Sequence, residues 1–358
     1  GGALVSWRLE PRAEPGLLVE AGWLVLAVLV AVLAGALLFA GAGAPPLAAL
    51  GLLVTEPFGS GYGLAETLVR TVPLACCGLA VAFARQANLW NIGAEGQLMI
   101  GALGASWLPL AGPPLPEAGQ WPLLLLAGAL SGACWGGIAA LLRAFRGVNE
   151  ILSTLMLNYV GISLVEGLVH GPWKGADGFP YTDFFGPGWR LPLLTGRVHA
   201  GLLGVIALAV VLHLLLARTR LGLELRVVGA APETARTSGI PVRTRLVLAL
   251  TLGGAFAGLA GALEVAGVEG RLHGGLAQGV GYTAILVAFL ARGNLLAVLP
   301  TALALAALTV GGDGVQMAYP GVSAATVLVF QGLLLLLVLL GGRLAGFRLR
   351  RSPGGGRP

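Results

Sequence analysis

Two stretches of this chain place hydrogen-bonding side chains inside apolar surroundings, and a third gathers arginines between apolar runs. Residues 91–101 read NIGAEGQLMIG. On a helix Asn91 and Glu95, four residues apart, share one face, and Gln97 points elsewhere. A charge at the bilayer centre costs about 2.5–3.5 kcal/mol on insertion scales, so an intramembrane carboxyl group is expected to face a cavity or a partner. Glu95 is therefore a candidate for a transport path or gate, or for structural hydrogen bonding between helices. Residues 149–158 read NEILSTLMLN. Glu150, Thr154 and Asn158 recur every four residues as one helical ridge, with Ser153 beside it and Asn149 just before it. Asn158 falls near mid-membrane, where an amide needs partners. Either neighbouring helices supply them or the ridge lines a path for cargo.

The third stretch, residues 218–245, reads RTRLGLELRVVGAAPETARTSGIPVRTR. It encodes a small helix with its own punctuation. Pro232 suits a first helical position, where its missing N–H costs nothing. Glu233 puts negative charge at the positive end of the helix dipole. Gly239 can take a left-handed cap and Pro241 blocks continuation. So short a helix is marginal alone, because nucleation is costly. It must be packed by its own chain or presented to a partner.

Other chemistries find no support in the residue pattern. His170, His199, His213 and His273 are scattered, and no Ser/His/Asp or metal-ligand spacing occurs. Cys76, Cys77 and Cys134 lie in apolar runs and read as packing residues. No GxxxxGK[ST] loop is present, so nucleotide hydrolysis would belong to another subunit.

The elements that carry these residues are spans. The 358 residues are 56% hydrophobic and 11% charged, with a mean hydropathy of +0.87, against about 25% charged in soluble domains. Crossing a ~30 Å hydrocarbon core takes about 20 apolar residues. Continuous rather than alternating runs disfavour a β-barrel. The chain reads as an all-α, polytopic membrane protein of about ten transmembrane helices, near 17–40, 64–84, 91–112, 121–142, 151–170, 200–217, 246–266, 274–291, 295–311 and 322–342. The eighth is glycine-rich and the least regular. A shorter apolar run, 43–54, reads as an interfacial helix. Residues 1–16 and 343–358 are tails, 17–342 the permeation domain, 171–199 an outer loop and 218–245 a cytoplasmic loop.

Charge orients this plan. With ten spans, both termini share one side, and that side holds 17 of the 22 Lys and Arg. By the positive-inside rule it is cytoplasmic. The net charge of +6 then needs no nucleic-acid partner. Five spans before the outer loop and five after it make two halves, which must be inverted relative to each other. Gly35, Gly253, Gly254, Gly258 and Gly261 suit close helix packing.

NIGAEGQLMIGA followed by GVNEILSTLMLNYV resembles the permease subunits of ATP-binding cassette (ABC) importers for nucleosides and simple sugars, within the broader family that includes branched-chain amino acid permeases. LRVVGAAPETARTSGIPV is similar to that family's coupling helix, and GVGYTAILVAFLARGN is a fourth matching block. The likeness spans about residues 60–340. It implies an inner (plasma) membrane importer in which two permeases, the same or homologous, pair within the lipid bilayer. Two ATPase subunits use ATP on its behalf, and an extracytoplasmic binding protein delivers cargo; the permease itself binds no cofactor and no metal and is not an enzyme. Pro232, Glu233, Ala235, Arg236 and Gly239 fall in the ATPase-facing helix. Asn91, Glu95, Gln97, Asn149, Glu150, Ser153, Thr154 and Asn158 fall in motifs expected near the path. Two departures stand out: Ala231 replaces a frequent Asn at the helix start, and Phe289-Leu290-Ala291 replaces Leu-Leu-Gly. The rival reading is a secondary carrier driven by an ion gradient, against which the scarcity of intramembrane acids argues.

Overall fold

A computed structural model describes residues 6–11, 16–113 and 115–352. In chain order the helices are α1 (Leu17–Gly41), α2 (Pro46–Phe58), α3 (Gly61–Arg85), α4 (Ala94–Ala111), α5 (Glu117–Arg146), α6 (Glu150–His170), α7 (Gly201–Arg218), α8 (Arg220–Ala230), α9 (Pro232–Thr237), α10 (Val242–Glu264), α11 (Val280–Leu290), α12 (Val298–Ala318) and α13 (Ala324–Leu344). Strands β1 (Ser6–Pro11), β2 (Leu193–Thr195), β3 (Val198–His199) and β4 (Phe347–Ser352) are short. Local chemistry sets many helix ends. The Ser60 and Asn149 side chains accept from the N–H groups of Gly63 and Ile151 to start α3 and α6. Gly147, at φ +67°, stops α5 just after Arg143 and Arg146.

The chain is an all-α, multi-pass membrane protein. Eight helices among the described residues are long and apolar enough to cross a bilayer. The third and eighth expected spans are different. The third is α4, which begins at Ala94 rather than near 91, so Asn91 precedes the helix. The eighth is cut down to α11, 11 residues or about 16 Å, and residues 270–279 before it are not helical. The glycines that loosened the sequence pattern here become turns: Gly270 and Gly279 both have positive φ.

The chain divides into two compact units. The first comprises residues up to Gly59 and from Leu308 onward. There α1 packs on α13 and α2, with Phe39, Leu53, Val315 and Phe330 in the core. Gly35 lies under the Phe330 ring, which no Cβ would permit. Leu26, Leu29, Leu33 and Leu37 stay exposed on α1, as a lipid-facing surface requires. The ends expected as plain tails pair instead as an antiparallel β1–β4 ribbon; residues 1–5, 12–15 and 353–358 lie outside the described residues.

The second unit, Ser60–Ala307, is built on α10, which packs against α5, α4 and α3. From Val72 to Ala84 α3 is apolar all round and accordingly enclosed, every residue there being buried. At the meeting of α4, α5 and α10, Gly101, Gly128, Gly132, Gly254 and Gly258 bring three backbones into contact. Without a hydrophobic drive between helices in lipid, such close van der Waals packing is a main source of cohesion. Residues 171–199 form an irregular segment carrying the small β2–β3 hairpin.

Candidate functional site

The polar residues singled out in the sequence meet where α4, α6 and α11 adjoin, all within the second unit. Asn91 does not share a helix face with Glu95. Its Oδ1 accepts from the Gly93 N–H at 3.2 Å, a turn that folds the side chain back before α4 begins. There it forms a reciprocal amide pair with Gln97: Asn91 Nδ2 donates to Gln97 Oε1 at 2.8 Å, and Gln97 Nε2 donates to Asn91 Oδ1 at 3.0 Å. Gln97 thus points toward Asn91, contrary to the helical expectation, because the chain between them is not all helix.

Glu95 reaches across to α11. Its Oε1 accepts from the Gly279 N–H at 2.7 Å and its Oε2 from the Gly281 N–H at 2.6 Å. Two acceptor oxygens are the hydrogen-bond pattern of a carboxylate. The first N–H groups of a helix have no partner within it, and the dipole favours an anion there. Gly281 lies directly on the backbone of Glu95, so no larger residue fits at this crossing. The short α11 is thereby capped by a side chain far away in sequence.

The ridge on α6 forms as expected, with Glu150, Thr154 and Asn158 all buried. Asn158 is the link to α4: its Oδ1 accepts from the Gly96 N–H at 2.8 Å, and its Nδ2 donates to the Ile92 carbonyl at 2.8 Å and lies 3.4 Å from the Tyr282 hydroxyl. Gly96 permits that approach, sitting against the Asn158 backbone. Thr154 donates back to the Glu150 carbonyl at 2.6 Å. Glu150 takes a 3.1 Å ion pair from Arg143 at the end of α5. Asn149 is exposed and caps α6, and Ser153 is half-buried and donates to the Glu150 carbonyl at 3.3 Å. Sequence reading missed the backbone N–H groups of Gly279 and Gly281 as partners of Glu95. The only signal was the pair of glycines flanking Val280.

The arginine-rich stretch holds the expected small helix. α9 has Pro232 at its first position, Glu233 in its first turn and Gly239 at φ +76° after it. Ala231 supplies no side-chain cap. Ala235 is fully buried against Val228 of α8 and Val242 of α10, whereas Glu233 and Arg236 face out, with 82% and 60% of their side chains exposed, and pair with each other at 2.6 Å. α8, read from sequence as loop, is the platform, and Arg245 of α10 pairs with its Glu224.

These elements, from α4 to α11, lie in the region matched by a family model. Residues 63–339 match the branched-chain amino acid transport system / permease component family. The chain belongs to this family. Among the permease's relatives, the glucose ABC transporter permease protein TsgB13 of Haloferax volcanii is 39% identical over 94% of this chain and 91% of its own length. The guanosine ABC transporter permease protein NupP of Bacillus subtilis is 31% identical over 80% of this chain and 84% of its own. The nucleoside ABC transporter permease protein NupB of Lactococcus lactis is 27% identical over 81% and 83%. The permease's arginine-rich stretch, its α4 and α6 motifs and the α11 block all fall inside the matched region.

Proposed function

We propose that this permease is the membrane-spanning subunit of an ABC importer for a neutral, hydroxylated cargo, a simple sugar or a nucleoside. The observation that carries the proposal is the 39% identity, over nearly the whole chain, to a permease named for glucose. A hexose is the first reading. The relatives named for guanosine and nucleosides favour a nucleoside as the second. α9 supports the coupling role: its apolar side is seated on α8 and α10 while its charged side remains available to an ATPase. The permease works in the inner membrane with both termini cytoplasmic, paired with a second permease and served by an extracytoplasmic binding protein. Its two five-span halves are inverted, and α4 and α11 stand in equivalent places. Asn91, Glu95, Gln97, Thr154 and Asn158 fix those elements beside the path. A carboxylate at the N-terminus of α11 occupies the position where a broken helix in other carriers meets an anionic cargo, in keeping with an uncharged one here.

The test is uptake of labelled glucose and labelled adenosine by a strain carrying the transporter as its only route for either. Uptake that depends on the ATPase subunit, is competed by hexoses and ignores nucleosides supports the first reading. Competition by nucleosides alone moves the assignment to the second. Uptake by the permease alone under an imposed proton or sodium gradient would remove the ABC mechanism.

A further inference from the structure

α11 covers only about half of a ~30 Å hydrocarbon core. The full-length α12 begins shortly after it ends, so α11 finishes at a membrane face and its first turn lies near mid-depth. Its buried side, Gly281, Ala284, Val287 and Ala288, packs on α3 and α4. Its other side leaves Tyr282 and Phe289 exposed, with Ile285 half-buried between them. Residues so spaced on a helix make one stripe. Ile285 and Phe289 line a cavity of about 620 Å³ at the end of α11, where the Trp90 ring lies 5.0 Å from that of Phe289. That volume lies within the ~300–1,000 Å³ of small-molecule sites.

Tyr282 is the polar side chain of this stripe, and its hydroxyl is set from behind. Asn158 Nδ2 lies 3.4 Å from it. Asn158 is fully buried; its Oδ1 takes the Gly96 N–H, and its Nδ2 gives one proton to the Ile92 carbonyl. An amide nitrogen only donates, so the phenolic oxygen is the acceptor in this contact and its own proton must point elsewhere. Among the described residues the Tyr282 O–H meets no acceptor. Its neighbour Thr283, by contrast, spends its hydroxyl on the Gly279 carbonyl at 3.0 Å. At mid-depth a donor turned to lipid would stay unpaired at a cost, so an exposed tyrosine O–H belongs on a surface that meets water or a hydroxylated solute. The backbone just before α11 is strained, with Gln278 at φ 44°. Such conformations persist only where surrounding structure holds them, and they cluster at functional sites.

We infer that Tyr282 contacts cargo in the permeation path. Its O–H donates to a hydroxyl oxygen of a sugar or ribose, and its ring receives the apolar C–H face of the same cargo, the two uses an amphipathic side chain allows. Asn158 is the positioning residue: it holds the phenolic oxygen and so turns the proton outward. Ile285 and Phe289 continue the stripe as an apolar wall from Tyr282 to the cavity. This role rests on the importer function proposed above and adds to it the residue that reads a cargo hydroxyl.

The experiment uses the complete transporter, permease with its ATPase and binding protein, in proteoliposomes. ATP-driven uptake of labelled glucose and labelled adenosine is measured at saturating loaded binding protein. Tyr282→Phe keeps the ring and removes the donor. Its uptake of the cargo that the wild type accepts should fall about two- to tenfold, the worth of one hydrogen bond, with the melting temperature unchanged. The comparison is repeated with the labelled monodeoxy analogues of that cargo. The ratio of variant to wild-type uptake should return to about one for the analogue that lacks the accepting hydroxyl, and any preference of the binding protein cancels in that ratio. Normal uptake by Tyr282→Phe overturns the role, as does a fall in melting temperature that accounts for the loss. A loss equal for every analogue also overturns it, and assigns Tyr282 to a contact with the second permease. Absence of ATP-driven uptake in the wild type would remove the importer reading and this role with it, whereas a transporting wild type beside an indifferent variant removes this role alone.

Discussion

The polar cluster of α4, α6 and α11 and the charged face of α9 use similar side chains to opposite ends. In the cluster the groups are spent on the chain itself. Asn91 and Gln97 satisfy each other, Glu95 holds two N–H groups of α11, and Asn158 ties α6 to the start of α4. On α9, Glu233 and Arg236 project outward and pair with each other across one helical turn, an exposed pair worth about 0–1 kcal/mol. Buried polar groups here set geometry, because an unpaired one in lipid or core is costly. Exposed ones cost little either way and are available for recognition. Substitutions in the two regions should therefore separate into those that break the fold and those that break only transport.

The largest effect is expected at Glu95. Glu95→Ala leaves the buried Gly281 N–H and the part-buried Gly279 N–H without acceptors, at about 1–3 kcal/mol for the buried one. The folded yield and the melting temperature in detergent should drop further than for any other change in the cluster, and uptake should disappear with them. Glu95→Gln keeps one acceptor oxygen and should fall between. A melt for Glu95→Ala indistinguishable from wild type would mean that α11 is held by packing and that the carboxylate is not its anchor. Asn158→Ala comes next. It strands the Gly96 N–H and the Ile92 carbonyl but leaves α11 capped, so a loss of about 1–3 kcal/mol is expected. Asn158→Asp should recover part of it by restoring the acceptor. Equal melts for the two variants would show that the acceptor to Gly96 contributes nothing.

Much of this arrangement was legible in advance wherever its cause is local. Eight spans follow from apolar runs of sufficient length. α9 was readable almost to the residue because Pro232, Glu233 and Gly239 each act on the backbone beside them. The α6 ridge needed only the helical repeat. The matched family region, 63–339, agrees with the resemblance carried by four blocks. What failed to show depends on distant partners. The start of α11 is set by Glu95, 184 residues earlier for Gly279, and apolar, glycine-rich composition cannot separate a span from a span with its first half unwound. The helical repeat puts Asn91 on the face of Glu95, because its turn to Gly93 and its pairing with Gln97 leave no periodic mark. α8 was readable and overlooked: Gly222, Leu225 and Val228 recur every three residues and are its buried face. The β1–β4 pairing joins the two ends of the chain, which no local pattern records.

The smallest effect on the fold, and the sharpest test of the comparison, is expected at Glu233. Glu233→Arg removes one exposed ion pair and reverses the charge at the start of α9, leaving Ala235 seated on Val228 and Val242. An unfavourable charge at a helix N-terminus is worth about 0.3–1 kcal/mol at the surface, so the melt should move little. On the proposed coupling role, transport should nevertheless fall several-fold, because the altered face is the one that role assigns to the ATPase, and co-purification of that subunit should be weaker at low salt and less sensitive to added salt than in the wild type. Normal uptake would strip α9 of its coupling role. A large fall in the melt would instead place Glu233 with Glu95, as a residue the fold itself needs, and the distinction between the two regions would not hold.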